Sequence, residues 1–95
     1  MDAWPVKDPD EVLDYQFDWA THRLEAGETI SSSTFSKTGS ITLGATSDAS
    51  GITTVWISGG TAGEACVVTN QVVTSAGRTY EASAKLRIRN TDGSD

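Results

Sequence analysis

Between residues 79 and 89 the chain alternates without a fault. Tyr80, Ala82, Ala84, Leu86 and Ile88 are apolar, while Thr79, Glu81, Ser83, Lys85, Arg87 and Arg89 are polar or charged. A period of two sustained over this span fits a strand with one dry face and one wet face, and fits no helix. The residues before it are the turn Ser75-Ala76-Gly77-Arg78 and a long Val-rich run, 64–74, that holds Val67, Val68, Val72 and Val73 around Cys66. Two strands joined by a short glycine-containing turn make a hairpin, so the C-terminal third is read as antiparallel sheet.

The same reading extends upstream. In residues 14–19, Tyr15, Phe17 and Trp19 point one way and Asp14, Gln16 and Asp18 the other, which predicts a half-buried strand with an aromatic inner face. Residues 20–27 are helix-like in composition but reach Gly27 too soon for more than one turn. Residues 28–37 read as a polar strand with Ile30 and Phe35 as its large apolar side chains. After Gly39, residues 40–46 alternate again through Ile41, Leu43 and Ala45, and residues 47–51 form a turn cluster. Residues 52–58 are β-branched or aromatic on both faces and predict a central strand, followed by the glycine-rich loop 59–63.

Ser and Thr occupy 24 of the 95 positions, which suits strand faces and turns better than helices. Six strands with short connections predict an all-β fold, an antiparallel β-sandwich of immunoglobulin-like type, with a small barrel as the alternative. The organisation expected is an extended acidic arm (1–13), the sandwich (14–90) and a polar tail (91–95).

The arm carries both prolines and four acids, and Pro5 and Pro9 push their preceding residues toward extended backbone. Trp4 is costly to leave wet, so it either folds back on its own domain or plugs a pocket on a neighbour. Residues 1–28 hold eight acids against two bases, and the rest of the chain sums to zero, so the whole net charge of −6 lies in the first third. Phosphate binding needs a basic footprint, and a basic protein surface is therefore expected as partner in place of nucleic acid. No apolar run is long enough to span a bilayer, so no membrane partner is expected. The N-terminus lacks the basic and apolar regions of a signal peptide, and the single Cys66 has no partner for an intrachain disulfide. Synthesis in a reducing cytoplasm is the expectation.

Chemistry is sparse. The one histidine, His22, has no cysteine nearby in sequence, and no nucleophile elbow is present. Asp8, Asp10 and Asp14 lack the glycine and terminal glutamate of a calcium loop, and the 59–63 loop lacks the Lys-Ser/Thr of a phosphate loop. Cys66 lies in an apolar strand, where an inert thiol is expected. No catalytic residue, metal, cofactor or small-molecule substrate is therefore expected. What remains is electrostatic: Lys85, Arg87 and Arg89 form a row on one face of the last strand, complementary to the acidic arm. The arm can close on its own row as a lid or reach the next copy as a clasp. The plain alternative is that the row merely keeps an edge strand soluble. The candidate partner-binding residues are Trp4, Pro5, Asp8, Asp10, Glu11, Tyr15, Lys85, Arg87 and Arg89.

Five stretches then carry a family likeness: KDPDEVLDY at 7–15, Phe17-Asp18-Trp19, Gly27-Glu28-Thr29-Ile30, VWISGGTAGE at 55–64 and VVTSAGR at 72–78. Together they resemble the fiber–tail adaptors of tailed bacteriophages, small virion proteins. The resemblance implies that residues 7–15 are the family's N-terminal arm and that the 58–63 loop and the 74–78 turn belong to an immunoglobulin-like body. It further implies a non-enzymatic structural subunit of the virion tail. Such a subunit is present in several copies and links tail proteins to receptor-binding fibers. Cys66 departs from the aromatic residue usual at that place. Two other readings are a capsid decoration or cement protein and, more remotely, a carbohydrate-binding module stacking sugars on Trp4, Trp19 and Trp56. The last is disfavoured because two of those tryptophans lie in core-facing or central strands.

Overall fold

The C-terminal hairpin is the longest ladder of the molecule: strand β6 (Ala65–Thr74) pairs antiparallel with β7 (Thr79–Arg87), from Ala65 opposite Arg87 to Val73 opposite Thr79. The computed structural model describes residues 2–90, so the expected tail at 91–95 lies outside the described residues. The other elements are β1 (Asp2–Ala3), β2 (Leu13–Asp18), a single helical turn α1 (Trp19–His22), β3 (Ile30–Lys37), β4 (Ile41–Ala49) and β5 (Ile52–Gly59). They form two sheets, ordered β1-β7-β6-β3 and β2-β5-β4. Every pairing is antiparallel except β1 with β7. The all-β expectation holds, and β5 is the central strand of its sheet, as its two-sided apolar pattern implied.

The inner faces meet in one continuous core. One part collects Tyr15, Ile41, Val55, Ile57, Cys66, Val68, Leu86 and Ile88; the other collects Phe17, Trp19, Val72 and Ala84. Trp4 and Phe35 pack against both parts. The alternation that identified the last strand thus becomes burial of Ala84, Leu86 and Ile88, with Tyr80 and Ala82 partly covered. Trp19 lies at the start of α1, one residue past β2, yet its side chain is buried as the aromatic period required. The Asp18 carboxylate caps the turn by accepting from the Thr21 N–H at 3.0 Å.

A tryptophan N–H brought into such a core needs a partner. Trp19 Nε1 donates to Asn70 Oδ1 (3.0 Å) and Thr53 Oγ1 (3.2 Å), and Thr53 Oγ1 donates to the same Asn70 oxygen (2.6 Å). The Asn70 amide donates outward to Ser33 Oγ (2.8 Å) and the Thr34 carbonyl (3.0 Å). This network couples β3, β5 and β6 across the sandwich, and among the described residues no buried side-chain polar atom is left without a partner.

Three features depart from the sequence reading. Strand β4 continues through the expected turn cluster to Ala49, which pairs with Ile52. The turn is only Ser50-Gly51, both with positive φ (53° and 78°), the two-residue geometry that matches the twist of a hairpin. The arm supplies a seventh strand, since β1 lies parallel to β7 and Lys7 bridges Ile88 in the same sense. Strand β7 is therefore not an edge, and the reading of its basic row as protection of a bare edge is corrected: the arm covers that edge.

Candidate partner-binding surface

The arm is built onto the sandwich by backbone first. The Trp4 N–H donates to the Lys85 carbonyl (2.9 Å), the Lys7 N–H to the Arg87 carbonyl (3.0 Å), and the Arg89 N–H returns to the Lys7 carbonyl (3.0 Å). Pro5 falls between these contacts, where a missing N–H breaks no ladder bond. The Trp4 ring folds inward and stacks on Tyr15 with centroids 4.7 Å apart, and lies 5.0 Å from the Phe17 ring. Tyr15 is buried beneath it and donates its hydroxyl to the Pro5 carbonyl at 3.2 Å. Burial, with the Glu11 carboxylate adding to it, pushes the Tyr15 phenol up to about 12. Of the two fates open to Trp4, the structure has it folded back on its own domain.

Beyond the β7 contact the chain turns. The Asp8 N–H donates to Glu11 Oε1 (2.8 Å), the Glu11 N–H returns to the Asp8 carbonyl (3.0 Å), and Asp8 Oδ1 accepts from the Asp10 N–H (2.8 Å). Asp10 and Glu11 are exposed on this turn and Asp8 is half-buried. Next to it lies a residue that sequence reasoning had counted only as a charge. Lys7 is wholly buried, and its ammonium donates to the carbonyls of Asp8 (2.9 Å) and Gly59 (2.7 Å), pinning the arm to the end of β5. Burial lowers its pKa, while Glu11, Asp8 and Asp10 pull it back up. The cue, a lone base among acids between Trp4 and Tyr15, is too weak to separate a buried lysine from a solvated one.

Lys85, Arg87 and Arg89 stand exposed in a row on the outer face of the four-stranded sheet, opposite Val67 and Ala65 of β6. The bond from the Arg89 N–H to the Lys7 carbonyl brings the end of the row up to the start of the acidic turn. One open depression, about 370 Å³, is lined by Gly63, Glu64, Ala65, Arg87, Ile88 and Arg89. Another, about 440 Å³, lies between arm and β2 and is lined by Trp4, Pro5, Leu13, Asp14, Tyr15 and Gln16. The nine candidates therefore divide into an internal pair, Trp4 with Tyr15, and a surface set.

For one further residue, Trp56, the sequence reading placed the strand and not the facing of the side chain. Trp56 lies on the central strand β5 as expected, but its side chain faces outward at 44% exposure, between the buried Val55 and Ile57. A central position in the sheet therefore does not argue against stacking on this ring, because position in the sheet and facing are separate questions. Cys66 is buried, and burial together with the neighbouring Glu64 raises its thiol pKa, the state of an unreactive cysteine. Among the described residues no cluster of His, Cys, Asp and Glu could hold a metal ion, and no helix is long and apolar enough to cross a membrane.

Comparison with curated proteins yields no match. One protein-family model does match, described as Podophage GP4 fiber-tail adaptor protein gp77, over residues 7–87. The match runs from the buried Lys7 to the last residue of β7, taking in the acidic turn, every strand of both sheets except β1, and Lys85 and Arg87 of the basic row. The family is one of structural tail proteins and not of enzymes, and adaptors of this kind interact with tail and fiber proteins. By this match over most of its length, the chain belongs to the podophage fiber–tail adaptor family.

Proposed function

We propose that the chain works as a multi-copy adaptor with an immunoglobulin-like body, docking tail proteins and fibers through charged surfaces and through no chemistry of its own. The strand orders β2-β5-β4 and β7-β6-β3 support the immunoglobulin-like reading, since that fold divides its strands in the same way between two sheets. The observation that carries the functional reading is a docked arm that leaves exposed charge of both signs on the surface around it. The acidic turn with Asp8, Asp10 and Glu11 follows Lys7, whose carbonyl accepts from the Arg89 N–H, and Lys85 and Arg87 stand exposed on the neighbouring strand β7. Pro5 and Trp4 supply the apolar part, lining a depression shared with Leu13 and Asp14. Trp4 and Tyr15 act mainly by shaping this surface, because their rings are already spent on each other.

The test is location and protection. An epitope-tagged chain in intact particles is expected at the tail, with residues 8–11 shielded from protease in the particle and cleavable in the free protein. Label on the head surface would overturn the adaptor reading in favour of a decoration protein. Equal cleavage in particle and free chain would remove the acidic turn from the interface.

A further inference from the structure

Two outer faces of the sandwich remain unpartnered, and they are chemically opposite. On the three-stranded sheet, Trp56 sits directly across from Asp14, with Gln16 opposite Thr54 beside them. On its other side β4 offers the indole no cover: the register jumps between Leu43 and Thr46, and Gly44 lies against the Trp56 backbone with nothing but hydrogen to present. The result is an exposed aromatic ring with a carboxylate next to it. On the opposite side of the molecule, the outer face of the four-stranded sheet presents Lys85 and Arg87 between small or apolar neighbours, Ala3, Ala65 and Val67. Glu81 shares that face but lies further up the strand, opposite Gln71. Among the described residues neither Lys85, Arg87 nor Asp14 has an ion-pair partner.

We infer that these two faces bind each other between copies: the Asp14–Trp56 face of one chain receives Lys85 and Arg87 of the next. This deepens the multi-copy reading above and rests on it. A guanidinium is the group that satisfies both elements of the acceptor, lying on an indole face while reaching a carboxylate. Residues two apart on a strand have Cα atoms about 6.6–6.8 Å apart, and a cross-strand pair such as Asp14 and Trp56 has Cβ atoms about 4.5–5.5 Å apart, so the long side chains of Lys85 and Arg87 span the same short distance as the pair they face. Like faces would set Asp14 against Asp14 and Lys85 against Lys85. The contact is therefore head-to-tail, the kind that propagates into a ring when its rotation closes. Three strands at about 4.8 Å spacing and six paired residues at about 3.4 Å each give roughly 300 Å² per partner. That is below the roughly 800 Å² per partner of stable complexes, so copies join where the tail gathers them and the free chain is monomeric.

The test uses particles carrying the full chain with Gln16→Cys and Ala65→Cys together, exposed neighbours of the two faces that leave Asp14, Lys85 and Arg87 in place, treated with a short bis-maleimide; native Cys66 is buried and stays silent. The expected result is a ladder of dimers, trimers and higher multiples of the 10.0 kDa chain, with each single-cysteine chain staying monomeric. A chain present in the tail but giving no ladder overturns the inference and leaves the adaptor reading standing. Dimers from either single-cysteine chain would mean like faces meet, and also overturn it. Absence of the chain from the tail overturns both. As a second arm, Asp14→Lys alone and Lys85→Glu with Arg87→Glu alone are expected to cut incorporation at least tenfold, and all three in one chain to restore it. Failure of restoration with unchanged circular dichroism and melting overturns the pairing.

Discussion

Replacing Trp4 with alanine measures how firmly the arm is part of the domain. Truncating a fully buried Trp costs about 3–5 kcal/mol. Trp4 is half-buried, which roughly halves that figure, and loss of its 4.7 Å stack on Tyr15 adds part of the roughly 0.5–1.5 kcal/mol of an aromatic pair. The expected loss is about 2.5 kcal/mol, against a total of about 5–14 kcal/mol for a domain of 95 residues. At about 4–8 °C per kcal/mol for a domain of this size, the melting midpoint should fall by roughly 10–20 °C. The same loss has a local reading. If the arm opens without the rest of the sandwich, 2.5 kcal/mol raises its open population about 60-fold, and native-state cleavage between residues 5 and 12 should accelerate by that factor. Urea unfolding and timed proteolysis of Trp4→Ala against the native chain give both numbers. A stability loss under about 0.5 kcal/mol with unchanged cleavage would refute the reasoning, since it would mean that the indole gains nothing from Tyr15 and Phe17.

Other expectations are briefer. Asn70→Leu should cost about 2–4 kcal/mol in urea unfolding, because Trp19 Nε1 keeps only the 3.2 Å contact to Thr53 and the Thr34 carbonyl loses its donor. Gly39→Ala should be markedly worse than Gly77→Ala: both glycines have φ of +84°, worth about 1–2 kcal/mol for a side chain, but a Cβ at Gly39 would lie 2.5 Å from Cys66 Sγ, while at Gly77 it meets nothing. Glu28 is held below the ordinary carboxylate range, first by the Glu25 N–H and then by Thr74 and Arg78. Its stabilising contribution is therefore present above the usual value near 4.5 and lost as pH falls through the depressed one. Proton exchange in the 24–30 loop and the 75–78 turn should rise over that acid range, and Glu28→Gln should flatten the dependence. At the alkaline end, Tyr15 has a raised pKa, so the stability it contributes is complete below 10 and lost toward 12. Tyrosinate absorbance should keep rising toward pH 12 as the Trp4 stack is lost; a rise complete near 10 would contradict the burial of Tyr15.

Where side chains alternate about a dry interior, the chain declared its own fold. Tyr15, Phe17 and Trp19, Val55 and Ile57, and Ala84, Leu86 and Ile88 went to the core because each faces inward at a period of two. What was not legible depends on contacts between segments distant in sequence. Lys7 reads as a solvated charge until Gly59, 52 residues away, is seen to offer it a carbonyl. Asn70 reads as a polar interruption of a Val-rich strand until Trp19 and Thr53 meet it. Trp56 is the opposite case, since its outward facing follows from the period of Val55 and Ile57 and was obscured by the apolar composition of the whole strand. The surface set was visible as charge but not as arrangement, because the docking of the arm decides which charges share a face.

The buried lysine bears on why the arm is docked at all. A sandwich of this size has two seams between its sheets, and β3 runs into β4 at one of them. At the other, β7 and β2 would each show a bare edge, and Tyr15 would lie open at the rim. The arm closes that seam with three kinds of contact that fail under different conditions: backbone bonds to β7, the Trp4 stack, and an ammonium fixed to the carbonyls of Asp8 and Gly59. Burying an ammonium costs free energy, which the lowered pKa of Lys7 registers, so the ion contributes geometry more than stability. Lys7→Met should therefore change the unfolding free energy little, by about 1 kcal/mol in either direction, while loosening the placement of residues 8–11. Reduced protection of the Asp10 and Glu11 amides with near-native melting is the expected signature. Equal loss of both would make Lys7 an ordinary stabilising residue, and the acidic turn would then owe its position to Trp4 alone.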